Sequence, residues 1–234
     1  TIASLQRFGV KVTQRARKNG GVIYRIAAPQ RYLPCDMRVE GDYSQAAFLA
    51  VLGVLMGGIT VTGLDTVSRQ GDRVILDILK RFGGKYANTA TGLRFSRSLL
   101  KGGDIDLADC PDLGPVLIAM GCFCNGTTTI RNAGRLRIKE SDRIAAMQQE
   151  LAKMGGRVQA IGDTVNVLGG VLHAPEKPLL GHNDHRIVMA LTVAALAAGI
   201  PATIHGAEAV RKSWPDFFEV VRSLGARIDL VESE

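Results

Sequence analysis

Candidate chemistry begins with Arg135-Leu136-Arg137-Ile138-Lys139-Glu140-Ser141-Asp142-Arg143, a run of mixed charge followed by Ile144, Met147, Leu151 and Met154 at helical spacing. Acidic side chains suit the positive end of a helix dipole, but Lys139 and Arg143 beside it are unfavourable unless an anion neutralises them. Two further basic helix starts follow. His182-Asn183-Asp184-His185-Arg186 leads an almost wholly apolar helix, so Arg186 has to meet an anion or an acid. Arg211-Lys212-Ser213-Trp214-Pro215-Asp216 sets two cations ahead of a proline suited to a first helical turn. If the three starts converge, they form a pocket for phosphate and carboxylate groups.

Other candidates carry two readings. Asp112, in Cys110-Pro111-Asp112-Leu113, has apolar neighbours and could be a buried general base. Capping explains it as simply, because Asp42 and Asp184 also precede apolar helices, and the residue pattern alone favours the cap. Ser44 and Gln45 offer neutral donors to a phosphate or hydroxyl, or are ordinary first-turn residues. Lys139, Glu140 and Arg143 could be a solvated first turn, but their clustering favours function. His182 and His185 lack a third ligand at useful spacing, so no metal site is expected. No nucleotide-binding glycine loop occurs.

The elements that must position these residues repeat. Phe8-Gly9, Phe82-Gly83, Met154-Gly155 and Leu224-Gly225 end charged amphipathic segments, with glycines 74, 72 and 70 residues apart. Each glycine reads as a helix C-cap. Asp42, Asp112 and Asp184 keep the same step, and β-branched segments follow their helices at Gly58 to Gly63, Gly126 to Arg131 and Gly199 to Ile204. The unit is therefore strand, Asp-led apolar helix, strand, charged helix, glycine, then a hairpin completed by Tyr24 to Ile26, Leu93 to Phe95 or Val165 to Val167. Such alternation predicts an α/β fold with sheets covered by helices, the apolar helices inside and the charged ones outside. Thr1 to Leu5 enters partway through a charged helix, so the chain is expected to be part of a longer protein. Ala226 to Leu230 should close the last unit ahead of an acidic tail.

Composition narrows the partners. The 234 residues are 46% hydrophobic, enough for a sizeable core. A net charge of +7 is spread without runs and only 5% of residues are aromatic, which fits small anionic substrates at least as well as nucleic acid, whose single-stranded form usually needs stacking platforms, so no nucleic-acid partner is expected. The longest apolar runs are too short to span a bilayer, and no signal core is present, so no membrane partner is expected. Cys35, Cys110, Cys122 and Cys124 lack zinc or redox spacing and read as buried free thiols of a cytoplasmic protein.

Arg137-Ile138-Lys139-Glu140-Ser141-Asp142-Arg143, Asn183-Asp184-His185-Arg186, Arg211-Lys212-Ser213-Trp214-Pro215-Asp216-Phe217-Phe218 and Val39-Glu40-Gly41-Asp42-Tyr43-Ser44 together resemble the C-terminal half of the 3-phosphoshikimate 1-carboxyvinyltransferase (EPSP synthase) family. The resemblance runs in order along essentially the whole chain. It implies a two-lobed enolpyruvyl transferase fold of repeated βαβαββ units, one lobe incomplete, with residues 1–86 closing the N-terminal lobe and 87–234 forming most of the C-terminal lobe. It implies transfer of the enolpyruvyl group of phosphoenolpyruvate to the 5-hydroxyl of shikimate 3-phosphate, without metal or organic cofactor. Asp112 matches the proton acceptor for that hydroxyl, reversing the capping preference. Glu140 and Lys212 match groups that protonate the enol carbon and handle the departing phosphate; Arg143, Arg186 and Lys212 match the phosphoenolpyruvate clamp; Lys139 matches a shikimate 3-phosphate contact. Ser44, Gln45 and Arg135 are assigned to shikimate 3-phosphate, although Gln45 stands where many members have serine and Arg135 where some have asparagine. The family's lysine-serine segment, glycine-rich loop and serine-glutamine segment are absent, so the chain alone should be inactive and its partner should be the missing N-terminal half. A UDP-N-acetylglucosamine enolpyruvyl transferase fits the paired motifs less well, and a non-catalytic anion- or nucleic-acid-binding module is the alternative of another class.

Overall fold

A short helix, α1 (Ile2–Arg7), and the antiparallel hairpin of β1 (Val12–Ala16) and β2 (Val22–Ile26) make up one unit of the computed structural model, Thr1–Val39. Val10 is its only buried residue. The described residues are 1–231, and those from Glu40 onward form a second unit that holds every candidate site residue.

In the second unit the expected period is present three times. It opens with α2 (Tyr43–Met56), β3 (Ile59–Val61), α3 (Ile75–Arg81) and the hairpin β4 (Lys85–Thr89) and β5 (Gly92–Ser96). No strand leads this first copy; a 2.8 Å bond from Gly41 N to Gly63 O holds that place. The second copy is a complete βαβαββ: β6 (Asp104–Asp106), α4 (Gly114–Gly121), β7 (Thr127–Arg131), α5 (Arg143–Lys153), β8 (Arg157–Ile161) and β9 (Thr164–Leu168). The third runs through β10 (Leu179–Leu180), α6 (His185–Ala198), β11 (Ile204–His205) and α7 (Phe217–Ser223). Residues 226–231 form no strand, so the expected closing strand is not built, and the rest of the acidic tail lies outside the described residues.

The sheets follow the copies. β3, β5 and β4 pair antiparallel in that order; β6 pairs parallel with β7, which continues antiparallel to β9 and β8; β10 and β11 are parallel. The parallel pairs are those joined through α4 and α6, as crossover connections require. The expected division near residue 86 falls inside β4, whose partner β5 pairs with β3 through Ile59 and Phe95. That sheet ties residues 59–61 to 85–96, and the two compact units of this chain are 1–39 and the residues from Glu40 onward.

The apolar helices lie innermost. α2, α4 and α6 pack on one another, every residue of α4 is buried, and α6 is buried from His185 to Ala195. Each fully buried aliphatic side chain contributes about 1.5–3 kcal/mol, so burial along this three-helix contact is strongly stabilising. The charged α5 buries one face, Ile144, Met147 and Leu151, and shows water the other. Its end, like those of α1, α3 and α7, is followed by a glycine in the left-handed region, with φ of 80°, 80°, 90° and 98° at Gly155, Gly9, Gly83 and Gly225. Cys110, Cys122 and Cys124 are free and buried, and burial pushes their thiols up to about 11, 12 and 11. Cys35 is exposed, contrary to the expectation, because it lies in the thinly packed 1–39 unit. Among the described residues no helix is long and apolar enough to cross a membrane.

Candidate active site

Asp42 and Asp184 are side-chain caps: their carboxylates accept from Ser44 N at 2.8 Å and Arg186 N at 2.9 Å. Asp112, at the same place in the repeat, caps nothing. It sits in a 3-10 turn, Pro111–Leu113, that leads into α4, and Pro115 occupies the first turn of that helix. Freed from capping, its carboxylate faces the two neighbouring helix starts. Oδ1 accepts from Arg143 Nη1 at 3.1 Å and pairs with Lys139 Nζ at 3.2 Å; Oδ2 lies 3.5 Å from Arg186 Nη2, and the main-chain oxygen accepts from Arg186 Nη1 at 3.2 Å. Burial pushes this carboxyl up, but Arg186, Lys139 and Arg143 outweigh it and hold it below its usual range.

Arg143 is 2% exposed and anchored from behind. Asp184 takes its Nε at 2.7 Å and its Nη2 at 3.2 Å, a bidentate pair that leaves Nη1 for the site. Asp184 also accepts Ser141 Oγ at 3.0 Å; burial pushes its carboxyl up, and the Arg143, Arg186 N and Ser141 bonds more than reverse that. Glu140 lies 3.0 Å from His185 Nδ1. Burial lowers the His185 pKa against the opposing pull of Glu140, so the imidazole is neutral near pH 7 with its Nδ1 proton toward the carboxylate. Lys212 Nζ donates to Asn183 O at 2.5 Å, one residue before Asp184.

Ser44, Asp72, Asp112, Arg135 and Lys139 line an open cleft of about 350 Å³. Arg135 reaches Ala108 O at 3.2 Å and remains exposed. Ser44 Oγ donates to Asp72, and Gln45 Nε2 donates to Ser213 O at 2.7 Å, so Gln45 is occupied inside the protein beside Lys212. Thus Asp112, Lys139, Arg143 and Arg186 meet directly; Glu140 and Lys212 stand against α6 and the turn before it; Gln45 does not line the cleft. A larger depression of about 510 Å³ over Gly83, Lys85, Arg97, Ser98 and Leu99 lacks any such acid and cation grouping.

Sequence reading missed four supports. Gln70 accepts Tyr43 N at 2.9 Å and donates to Gly41 O at 2.9 Å, fixing the start of α2. Asp72 is buried, which raises its carboxyl pKa against the pull of Ser44 and Arg186. Ser141 and Asp184 orient Arg143. Asp72 is the acid of Arg69-Gln70-Gly71-Asp72-Arg73, and nothing in spacing ties it to Ser44. Glu140, Asp184 and His185 bring ligand atoms within 4.8 Å of one another, a grouping hidden by a separation of 45 residues between Glu140 and His185. Arg143 already engages both Asp184 oxygens, so a divalent cation there would have to displace a buried guanidinium.

This architecture and motif set have close counterparts. The EPSP synthase (3-phosphoshikimate 1-carboxyvinyltransferase) family model matches residues 1–221. The 3-phosphoshikimate 1-carboxyvinyltransferase of Clostridium kluyveri is 43% identical over 98% of this chain and 53% of its own length. That of Methanococcus maripaludis strain C5 is 38% identical over 99% of this chain and 54% of its own. An EPSP synthase structure from Acinetobacter baumannii superposes with a TM-score of 0.78 at 26% identity, covering 94% of this chain and 52% of that one. The chain spans about half the length of the curated relatives it matches. With a family model matched along nearly all of its length and relatives of this identity, the chain belongs to the EPSP synthase family.

Proposed function

We propose that the complete protein transfers the enolpyruvyl group of phosphoenolpyruvate to the 5-hydroxyl of shikimate 3-phosphate, in aromatic amino acid biosynthesis in the cytoplasm, and that this chain contributes one wall of the site. The observation that supports it is the Asp112 carboxylate ringed by Lys139, Arg143 and Arg186. In this reading Asp112 accepts the hydroxyl proton as the oxygen attacks C2 of phosphoenolpyruvate, while C3 gains a proton. The tetrahedral adduct then loses phosphate from C2 and a proton from C3, which re-forms the C2–C3 double bond and gives the enol ether. Glu140 and Lys212 carry the proton at C3 and stabilise the departing phosphate. Arg143, Arg186 and Lys212 clamp phosphoenolpyruvate; Lys139, Arg135, Ser44 and Gln45 serve shikimate 3-phosphate, Gln45 after release from Ser213.

The substrate also sets the strength of the base. With no anion bound, three cations depress Asp112 and make it a poor proton acceptor. Phosphate and carboxylate groups drawing those cations away raise its proton affinity as the hydroxyl arrives. Metal and organic cofactors have no part in these steps. The partner of this chain is the other half of the family's length, and we take the division after Val39 as the lobe boundary in place of residue 86.

Phosphate release from phosphoenolpyruvate and shikimate 3-phosphate tests the reading. The complete protein should release one phosphate per enolpyruvyl product, and the chain alone should release none, because half a site neither aligns the substrates nor excludes water. Full turnover by the chain alone would overturn the divided-site reading, and no turnover by the complete protein would overturn the activity.

A further inference from the structure

Glu150 is an ionisable side chain outside the cleft that is wholly buried, lying on the inner face of α5. Its two oxygens are shared among three donors. Oε2 accepts Lys153 Nζ at 2.6 Å and Leu180 N at 2.8 Å, and Oε1 lies 3.1 Å from His182 Nε2. Burial pushes this carboxyl up, but Lys153, Leu180 N and His182 together hold it below its usual range, so it is ionised near pH 7.

What these bonds hold is a turn. Between Leu180 and the start of α6, His182 and Asn183 both take left-handed backbone conformations, with φ of 50° and 51°. Two successive non-glycine residues in that region persist only when surrounding contacts enforce them. Glu150 grips the turn at Leu180 and at His182, and the next carbonyl, Asn183 O, is the one that seats Lys212. The Glu150 carboxylate itself touches neither the cleft nor Lys212.

We propose that Glu150 is a positioning residue for Lys212: by holding the Leu180–Asn183 turn from behind, it aims the Asn183 carbonyl that places the Lys212 ammonium. The inference rests on the functional reading only in giving Lys212 a catalytic task; the placement itself is independent of it. Nothing in sequence spacing links residue 150 to residue 212. The connection exists because α5 packs beside β10 and the turn that precedes α6.

Two measurements test it separately. The first needs no turnover: Lys212 is exposed, so its acylation by an amine-selective reagent can be followed by mass spectrometry on this chain. Glu150→Gln should speed acylation of Lys212 several-fold while the exposed Lys18 and Lys85 react unchanged. His182→Leu, which keeps the carboxylate but removes one grip, should shift Lys212 in the same direction. An unchanged Lys212 rate in both folded variants overturns the proposal. The second uses the complete protein: Glu150→Gln should raise KM for phosphoenolpyruvate at least tenfold and leave KM for shikimate 3-phosphate within twofold. Equal losses for both substrates, tracking a loss of folded protein, would reduce Glu150 to a structural role and overturn it. Failure of the wild-type complete protein to turn over would reject the functional reading and leave the acylation result to decide the placement.

Discussion

Asp112 and Asp184 occupy equivalent places and do opposite work. Asp184 caps α6 and holds Arg143 from behind, whereas Asp112 receives Arg143 from the front. Asp112→Asn in the complete protein should therefore lower kcat by about 10²–10⁴-fold, the range for a lost general base, while phosphoenolpyruvate still binds by calorimetry. Asp184→Ala removes the bidentate partner of a guanidinium that is 2% exposed and leaves it only the Asp112 contact at Nη1, and urea unfolding of this chain should show a loss of about 3–5 kcal/mol. The pH dependence has a definite sign. The folded Asp184 carboxyl lies below its ordinary 3.8, so its stabilisation is complete above about pH 4 and is lost as pH falls toward the depressed value. Acid unfolding followed by circular dichroism should be shallower below pH 4 in Asp184→Asn than in the unaltered chain. At this scale the candidate types were legible and their partners were not, since Arg143 lies 31 residues from Asp112 and 41 from Asp184.

At the scale of elements, the three periodic series described the helices and hairpins closely because their signals are local: a carboxylate or proline at a helix start, a glycine at its end, alternation in the strands. Length and exact pairing were less legible, as β10 and β11 are only two residues each and residues 226–231 form no strand. Close approach between elements escapes local patterns altogether. Gly53 sits inside α2, where helix propensity alone makes alanine better by about 1 kcal/mol. A Cβ there would stand 2.6 Å from Phe95 Cβ on β5 and 3.2 Å from Ile59 Cβ on β3. Gly53→Ala should consequently destabilise the chain by about 1–3 kcal/mol, read as a lower urea midpoint.

For the whole molecule, the contrast between the two units is one of burial. The unit from residue 40 onward encloses a continuous core, whereas the 1–39 unit leaves Val22, Ile23, Tyr24 and Ile26 of β2 exposed, along with Tyr32 and Leu33. Apolar side chains on an open strand invite association. Sedimentation of this chain alone should show concentration-dependent self-association that Ile23→Lys with Ile26→Lys reduces. Relatives of about twice the length supply further chain in which such a surface can be covered.

By itself the sequence determined the repeat, its candidate capping aspartates, the cations at the starts of α5 and α6 and, through its motifs, the family; Arg211 and Lys212 instead end a 3-10 turn, Ala207–Lys212, ahead of α7. Those features depend on residues within a few turns of one another or on a fixed period. Only the tertiary structure decided which repeated aspartate caps a helix and which becomes the centre of an ion-pair cluster, and that Glu150 stands behind the turn that seats Lys212. The physical reason is that equivalent positions in a repeat share a backbone but not neighbours: packing α4 between α5 and α6 sets Asp112 opposite two basic helix starts, a juxtaposition that no local pattern encodes.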